Sequence, residues 1–400
     1  MVAVPVTQSA RQWQLAHGAA AVDWIRSSGV AEGMLGNICS AVETTIEWEV
    51  GDNQSWARRV IERFPAVREN CDHLGFSDPA QALAYLILHV PDRYCRMFQV
   101  LERMLVNGAL PIGKSDRFAA IDIGAGPGPG IFAVRSFYAA LACYTRLHDP
   151  AWRVTPLGRA DIVEYSQAMP RVMGRFGQAL LMTERNQLSG ADPSAPPPCA
   201  EELARSALPP SQVYRDFSVF DVHHEHHQAR LVRAEELYRE DDAALSREGA
   251  RRLAYAEAAD RPSGYAVASM MNFLTPGSRA LSRFSDAIER LVGNALIPGG
   301  TALVLGGVGP DYQEIYQELD QRARNAGLTV LDGFDTRLPA TQWDRERDLV
   351  VAVIRRMWGK LESLAGDVSQ TKAKLPAKIF DVSKPYPLSK FRARAYRRGV

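Results

Sequence analysis

Residues 118–130, FAAIDIGAGPGPG, constrain the fold more than any other stretch. Phe118 to Ile123 is an apolar run broken only by Asp122. Gly124, Gly126, Gly128 and Gly130 then alternate with Ala125, Pro127 and Pro129, and apolar residues at helical spacing follow from Ile131 to Leu147. The pattern reads as strand, tight glycine turn and helix. Glycine at alternate positions lets backbone N–H groups approach a ligand closely, with no Cβ in the way. A buried strand that delivers such a turn to a helix N-terminus is the nucleotide corner of a doubly wound α/β sheet. The competing reading is a glycine-rich surface turn without a ligand, because a lone glycine motif is a weak signal.

The spacing is D-x-G-x-G-x-G, with Asp122 two residues before the first glycine. The dinucleotide fingerprint G-x-G-x-x-G lacks that acid and keeps a different glycine period, which disfavours a nicotinamide oxidoreductase. The run resembles the first motif of class I S-adenosylmethionine-dependent methyltransferases, and Asp122, Gly124, Gly126 and Gly128 carry the likeness. The resemblance implies S-adenosylmethionine as cofactor, with its methionine part beside the acid end of a turn that also contains Ala125.

Asp161 to Tyr165 reads as the second strand, ending on Glu164. In this fold class an acid there accepts hydrogen bonds from the two ribose hydroxyls. Tyr165 and Ser166 follow where the adenine edge would lie. Glu164 stands 36 positions after Gly128, against a usual spacing of about 20. The added length is assigned to the helix and to the 148–159 loop with Pro150, Pro156 and Gly158. Gly264 to Leu274, GYAVASMMNFL, reads as the fourth strand and the loop after it. The resemblance implies that this strand end faces the transferable methyl group. Ser269, Met270, Asn272 and Phe273 are then the reacting zone, with Ser269 and Asn272 as candidate catalytic residues and Ser269 and Met270 also beside the cofactor. Positioning alone can supply much of the rate of such a transfer, and no general base is evident.

The expected fold is therefore a doubly wound, Rossmann-like methyltransferase sheet with a helical N-terminal domain. Residues 1–115 form that domain, as a cap or as substrate-recognising structure. Its helical runs are Ala10–Ser27, Asn53–Arg68, Ala80–Val90 with Ser77 as N-cap, and Asp92–Asn107, with Pro91 dividing the last two. Residues 116–360 form the methyltransferase domain, with an insertion at about 189–263 that begins in a Pro-, Ala- and Ser-rich stretch. Val213–Val222 reads as the third strand, with Asp216 or Asp221 near its end and Asp221 a candidate for the adenine amino group. Ser278–Asn294 reads as a helix and Thr301–Gly306 as a buried strand entered through Pro298-Gly299-Gly300. Tyr312–Ala326 reads as a helix, Leu328–Leu331 as a strand, and Arg347–Arg355, around DLVVAVI, as the last strand of an antiparallel closing hairpin. Residues 361–400 read as a basic tail. Within it, 371–400 holds nine Lys or Arg and one acid, with Phe380, Tyr386, Phe391 and Tyr396 interleaved. That composition suits RNA contact, against a solvated or self-packed tail as the alternative.

A formal net charge of +1, with 23% charged residues, argues against wholesale nucleic-acid binding. Five scattered cysteines without C-x-x-C suggest free thiols in a reducing compartment rather than a disulfide framework or a zinc site. The HHEHH block at 223–227 offers His223 and His227 at i, i+4, but no H-E-x-x-H, and reads as a polar turn rather than a metal site. No secretory signal or membrane-length apolar run is present, so a cytoplasmic location is expected.

Three stretches narrow the match: AYLILHVPDRYCRMFQVLERM, ASMMNFL and PGGTALVLGGVGPDYQEIYQELDQRARNAG. Together they resemble the mitochondrial and bacterial methyltransferase-like proteins associated with the small ribosomal subunit. That likeness implies ribosomal RNA or ribosome assembly as the context. The readings in play are a methyltransferase acting on RNA or on a small molecule, and a catalytically silent, RNA-associated assembly factor that keeps the fold. Salt dependence separates RNA from small-molecule binding, since phosphate contacts weaken steeply with salt.

Overall fold

The computed structural model describes residues 8–71, 74–112, 118–190, 199–215, 264–277, 295–331, 344–376, 379–380 and 390–399, with five isolated positions (232, 235, 236, 239 and 289) between them. Four helices come first: α1 (Gln8–Ser27), α2 (Val30–Val50), α3 (Gln54–Asn70) and α4 (Pro79–Val106). Then follow β1 (Ala119–Ile123), α5 (Pro129–His148), β2 (Arg159–Val163), α6 (Ala168–Gly190), the short α7 (Ala200–Arg205), β3 (Gln212–Tyr214), β4 (Tyr265–Met271) and β5 (Leu296–Gly306). The chain ends with α8 (Pro310–Asn325), β6 (Leu328–Val330), α9 (Asp344–Ala365), the short α10 (Ser369–Ala373) and β7 (Arg392–Arg398).

The strands form one sheet in the order β3-β2-β1-β4-β5-β7-β6. β1 to β5 run parallel, and β7 lies antiparallel between β5 and β6. This is the doubly wound arrangement expected from the glycine turn, with the order reversing at β1. A ligand crevice belongs at that reversal, outside the carboxyl ends of the strands. β1 and β4 are buried along their whole length, as parallel strands covered on both faces must be.

α4 is a single helix of 28 residues, with Pro91 enclosed in it rather than dividing it. Apolar side chains on both sides of Pro91, among them Leu86, Ile87, Val90, Met97 and Phe98, are fully or nearly fully buried and hold the helix through it. Its N-cap is Asp78 and not Ser77: the carboxylate accepts from Ala80 N at 3.0 Å, and Pro79 takes the first helical position. α2 has no counterpart among the expected elements. Gly29, at φ +77°, starts it and Gly51 ends it, while Gly33 and Gly36 dilute its apolar stripe.

Residues 347–355, expected as the last strand, lie inside α9. Its buried residues, Val350, Val353, Ile354, Met357, Trp358, Leu361 and Ala365, recur at helical spacing and pack on α2, α3 and α4. That packing outweighs the strand preference of a β-branched run. The last strand is instead β7, drawn from the segment read as a basic tail. Phe391, Ala393, Ala395 and Tyr396 are buried. Its arginines serve the fold: Arg394 Nε lies 3.4 Å from Asp320 and Arg397 Nη2 donates to Gly108 O. The Tyr396 hydroxyl donates to Asp320 at 2.7 Å. Pro298-Gly299-Gly300 lies within β5 and shifts its register on β4 between Tyr265 and Val267. The HHEHH block, Asp216, Asp221 and the 278–288 and 290–294 stretches lie outside the described residues.

Candidate active site

The glycine turn sits at the carboxyl end of β1. Gly124, Gly126 and Gly128 all have positive φ (62°, 57° and 87°), so the alternation is a backbone requirement. A Cβ on Gly124 would lie 2.4 Å from the Phe273 ring, and one on Gly128 would lie 2.5 Å from Met173 and 3.0 Å from Phe132. Gly126 differs: a Cβ there would meet only Tyr85, at an ordinary 3.8 Å. Of the three, it alone opens toward space a ligand could share. Gly124 N donates to Val163 O at 2.8 Å, which ties the turn to the end of β2.

Glu164 is the first residue after β2. Its Oε2 accepts from Gly126 N at 2.7 Å and its Oε1 from Ser166 N at 2.8 Å. Burial pushes its pKa up, against the pull of the Ser166 and Gly126 amides and Arg215. The Gly126, Ser166 and Tyr165 backbone donors use part of the roughly four lone-pair sites on an ionised carboxylate. Acceptor capacity remains for a ribose hydroxyl, so the residues present fit the nucleoside that the motif implies. Tyr165, beside it, is 87% exposed, an unusual state for a large aromatic at a strand end. Ser166 is buried, and its hydroxyl donates to Phe76 O at 2.7 Å. The spacing from Gly128 to Glu164 is filled by the 20-residue α5 and the loop at 149–158.

Asp122 lies beneath the turn rather than in it. It is fully enclosed, and Oδ1 accepts from the Ser269 hydroxyl at 2.7 Å. Its Oδ2 has no hydrogen-bond partner among the described residues and would be 2.9 Å from a Cβ on Gly130. Burial pushes the Asp122 pKa up to about 7, against the Ser269 hydroxyl and the Ile131 N–H, with the Glu164 charge adding to the rise. Ser269 and Met270 are strand residues of β4, buried at 0% and 1% exposure. The expected catalytic role of Ser269 therefore does not suit its place. β4 pairs with β1 in the register Asp122↔Ser269, so Ser269 faces a carboxylate inside the protein and not a cleft. Ala125 is likewise buried within the turn.

Asn272 and Phe273 are partly exposed and follow the end of β4. Asn272 has φ +51°, and its amide oxygen accepts from Arg93 Nε at 2.8 Å and Nη2 at 3.0 Å. Arg93 brings α4 into the site. Its guanidinium stacks over the Tyr85 ring at 4.6 Å, and Phe76 and His89 pack on the same ring at 5.2 and 4.9 Å. Tyr85, His89 and Arg93 sit at i, i+4 and i+8 on one helix face. Sequence reasoning gives these three residues no role. The four-residue spacing of a tyrosine, a histidine and an arginine was the signal available. Among the described residues no group of three or more His, Cys, Asp or Glu could hold a metal, and no helix is long and apolar enough to cross a membrane.

Neither a protein-family profile nor a curated protein matches the sequence. Several solved structures align weakly. The YcgJ protein of Bacillus subtilis is 10% identical, over 77% of this chain and 98% of its own, with a TM-score of 0.33. A SAM-dependent methyltransferase of Geobacter sulfurreducens, solved with S-adenosyl-L-homocysteine, is 16% identical over 77% and 90%, with a TM-score of 0.31. One from Thiobacillus denitrificans, also with S-adenosyl-L-homocysteine, is 12% identical over 83% and 95%, with a TM-score of 0.27. Likeness at that level is too slight to bear on activity, which rests on the turn, Glu164 and the strand order.

Proposed function

We propose that this chain binds S-adenosylmethionine and transfers its methyl group to an acceptor admitted at Asn272–Phe273. The observation that carries the reading is the join between Glu164 and Gly126. A carboxylate with acceptor capacity to spare is fixed 2.7 Å from the amide of the one glycine in the turn whose added Cβ would meet no clash. Strand order supports it, because β1 lies at the reversal point of a parallel sheet whose last strand, β7, is antiparallel.

When bound, the cofactor supplies an electrophilic methyl carbon on a sulfonium. The protein's part is orientation. Glu164 accepts from the ribose hydroxyls, and exposed Tyr165 offers a flat face to the base. The positive end of the α5 dipole lies behind the turn. Phe273, packed on Gly124, limits where an acceptor can stand. Asp122 and Ser269 hold β1 and β4 together beneath the turn. In-line placement of a nucleophile that is already reactive meets most of the demand of methyl transfer.

Thermal unfolding with added ligand tests the reading. S-adenosylhomocysteine should raise the midpoint with the logarithm of its concentration, as binding to the native state requires. NADH should not. A flat response to S-adenosylhomocysteine up to millimolar concentration would reject the proposal and favour the silent fold.

A further inference from the structure

The cofactor reading leaves the face of α4 at the turn without a task, although it is built as a site. Tyr85 is 7% exposed, and its hydroxyl lies beside the glycine turn. That oxygen lies 4.0 Å from the Cβ position of Gly126. A phenol O–H placed there can donate to a group that enters beside the turn. Three neighbours fix the ring: Arg93 stacks on one side, and Phe76 and His89 pack against it. Arg93 is itself held by two bonds to the Asn272 amide oxygen. The left-handed φ of Asn272 aims that oxygen, a strained state for a residue other than glycine. The neighbouring acid on α4, Asp92, is engaged by Arg96 at 2.6 Å.

The sheet order says which end of a ligand would meet this cluster. β2 flanks β1 on one side and β4 flanks it on the other. A nucleoside with its ribose at Glu164 and its base toward Tyr165 extends its 5′ end across the turn toward β4. The amino-acid end of S-adenosylmethionine would then arrive beneath α4. A phenol O–H and a guanidinium both donate, and the group at that end that accepts is a carboxylate. Resting on the cofactor reading above, we propose that Tyr85 and Arg93 form the subsite for the carboxylate of the cofactor's amino-acid end, with Asn272 as the positioning residue that holds Arg93. The helical region thus completes the cofactor site rather than only adding core. It also gives the chain a means to prefer the whole cofactor over its truncated nucleoside.

The test compares two probes by calorimetry on the full chain. S-adenosylhomocysteine carries the amino-acid end. 5′-Methylthioadenosine has the same nucleoside and thioether without it. Wild type should bind S-adenosylhomocysteine more tightly. Tyr85→Phe should weaken S-adenosylhomocysteine by about tenfold, the low end for a hydrogen bond to a charged group, and leave methylthioadenosine unchanged. Asn272→Gly suits the backbone at φ +51° and removes the amide that Arg93 bonds. It should narrow the same preference, and it carries the test if Tyr85→Phe does not fold. Equal weakening of both probes in either variant, or an unchanged ratio between them, would overturn the subsite while leaving the cofactor reading intact. So would equal affinity of wild type for the two probes. Binding of neither probe by wild type would reject the cofactor reading, and the subsite with it.

Discussion

Glu164→Gln isolates the charge of the residue that joins the turn to β2. The glutamine keeps the shape of the side chain but has only one acceptor oxygen. In the native protein two oxygens serve two amides, Gly126 N at 2.7 Å and Ser166 N at 2.8 Å. In the variant one amide must face an NH2 group, donor to donor. The lost charge-assisted bond is worth about 1.5–3 kcal/mol. Against it stands the burial that raises the Glu164 pKa, since holding that carboxylate ionised has a cost that glutamine removes. The net loss of stability should be about 1–2 kcal/mol, read by chemical denaturation at neutral pH. Affinity for S-adenosylhomocysteine should fall further, by roughly 10- to 100-fold, because the ribose hydroxyls lose their charged acceptor as well. Unchanged stability together with unchanged affinity would refute the reasoning. A loss of stability alone would leave Glu164 a structural strut and move the ribose acceptor elsewhere.

Two further changes probe the frame around the site. Asp122 titrates near pH 7 in the folded state and near 4 when unfolded, so the native state holds the extra proton between those values and stability falls as pH rises through that window. Asp122→Asn should flatten that slope and match or exceed wild-type stability at pH 8, measured by urea midpoints from pH 4 to 8; a steeper slope in the variant would contradict the buried-acid account. Removing residues 390–400 should prevent folding, because β7 lies between β5 and β6 and its loss exposes two strand edges. A folded, cooperative truncation by circular dichroism would restore the tail reading.

The corner of the fold was legible because its signals are local. A strand, three glycines that need positive φ and a helix start follow one another within residues 118–131, and Glu164 stands at the next strand end. The rest depended on contacts between distant segments. Val350, Val351 and Val353 carry strand preference, and only the surfaces of α2, α3 and α4 make that segment a helix. The arginines of 392–398 looked like a solvated or RNA-binding run. Their alternation with Ala393, Ala395 and Tyr396 is that of a strand with one face buried, and it was the available clue. Ser269 was assigned to the chemistry from its place near a strand end, but the strand continues to Met271, and the register with Asp122 turns the hydroxyl inward. Tyr85 and Arg93 could not be linked to the turn from spacing alone, since 41 and 33 positions of chain separate them from Gly126 and only the docking of α4 brings them together.

Direct calorimetric titration of the full chain with S-adenosylhomocysteine, with NADH as control, tests the central claim. The account predicts one site per chain of micromolar affinity, no heat with NADH, and loss of that site in Gly126→Ala. The alanine methyl meets no clash in the protein, with Tyr85 at 3.8 Å, so only backbone strain at φ +57° and the ligand's own approach oppose it. No binding by wild type, or full binding by a folded Gly126→Ala variant, would contradict it.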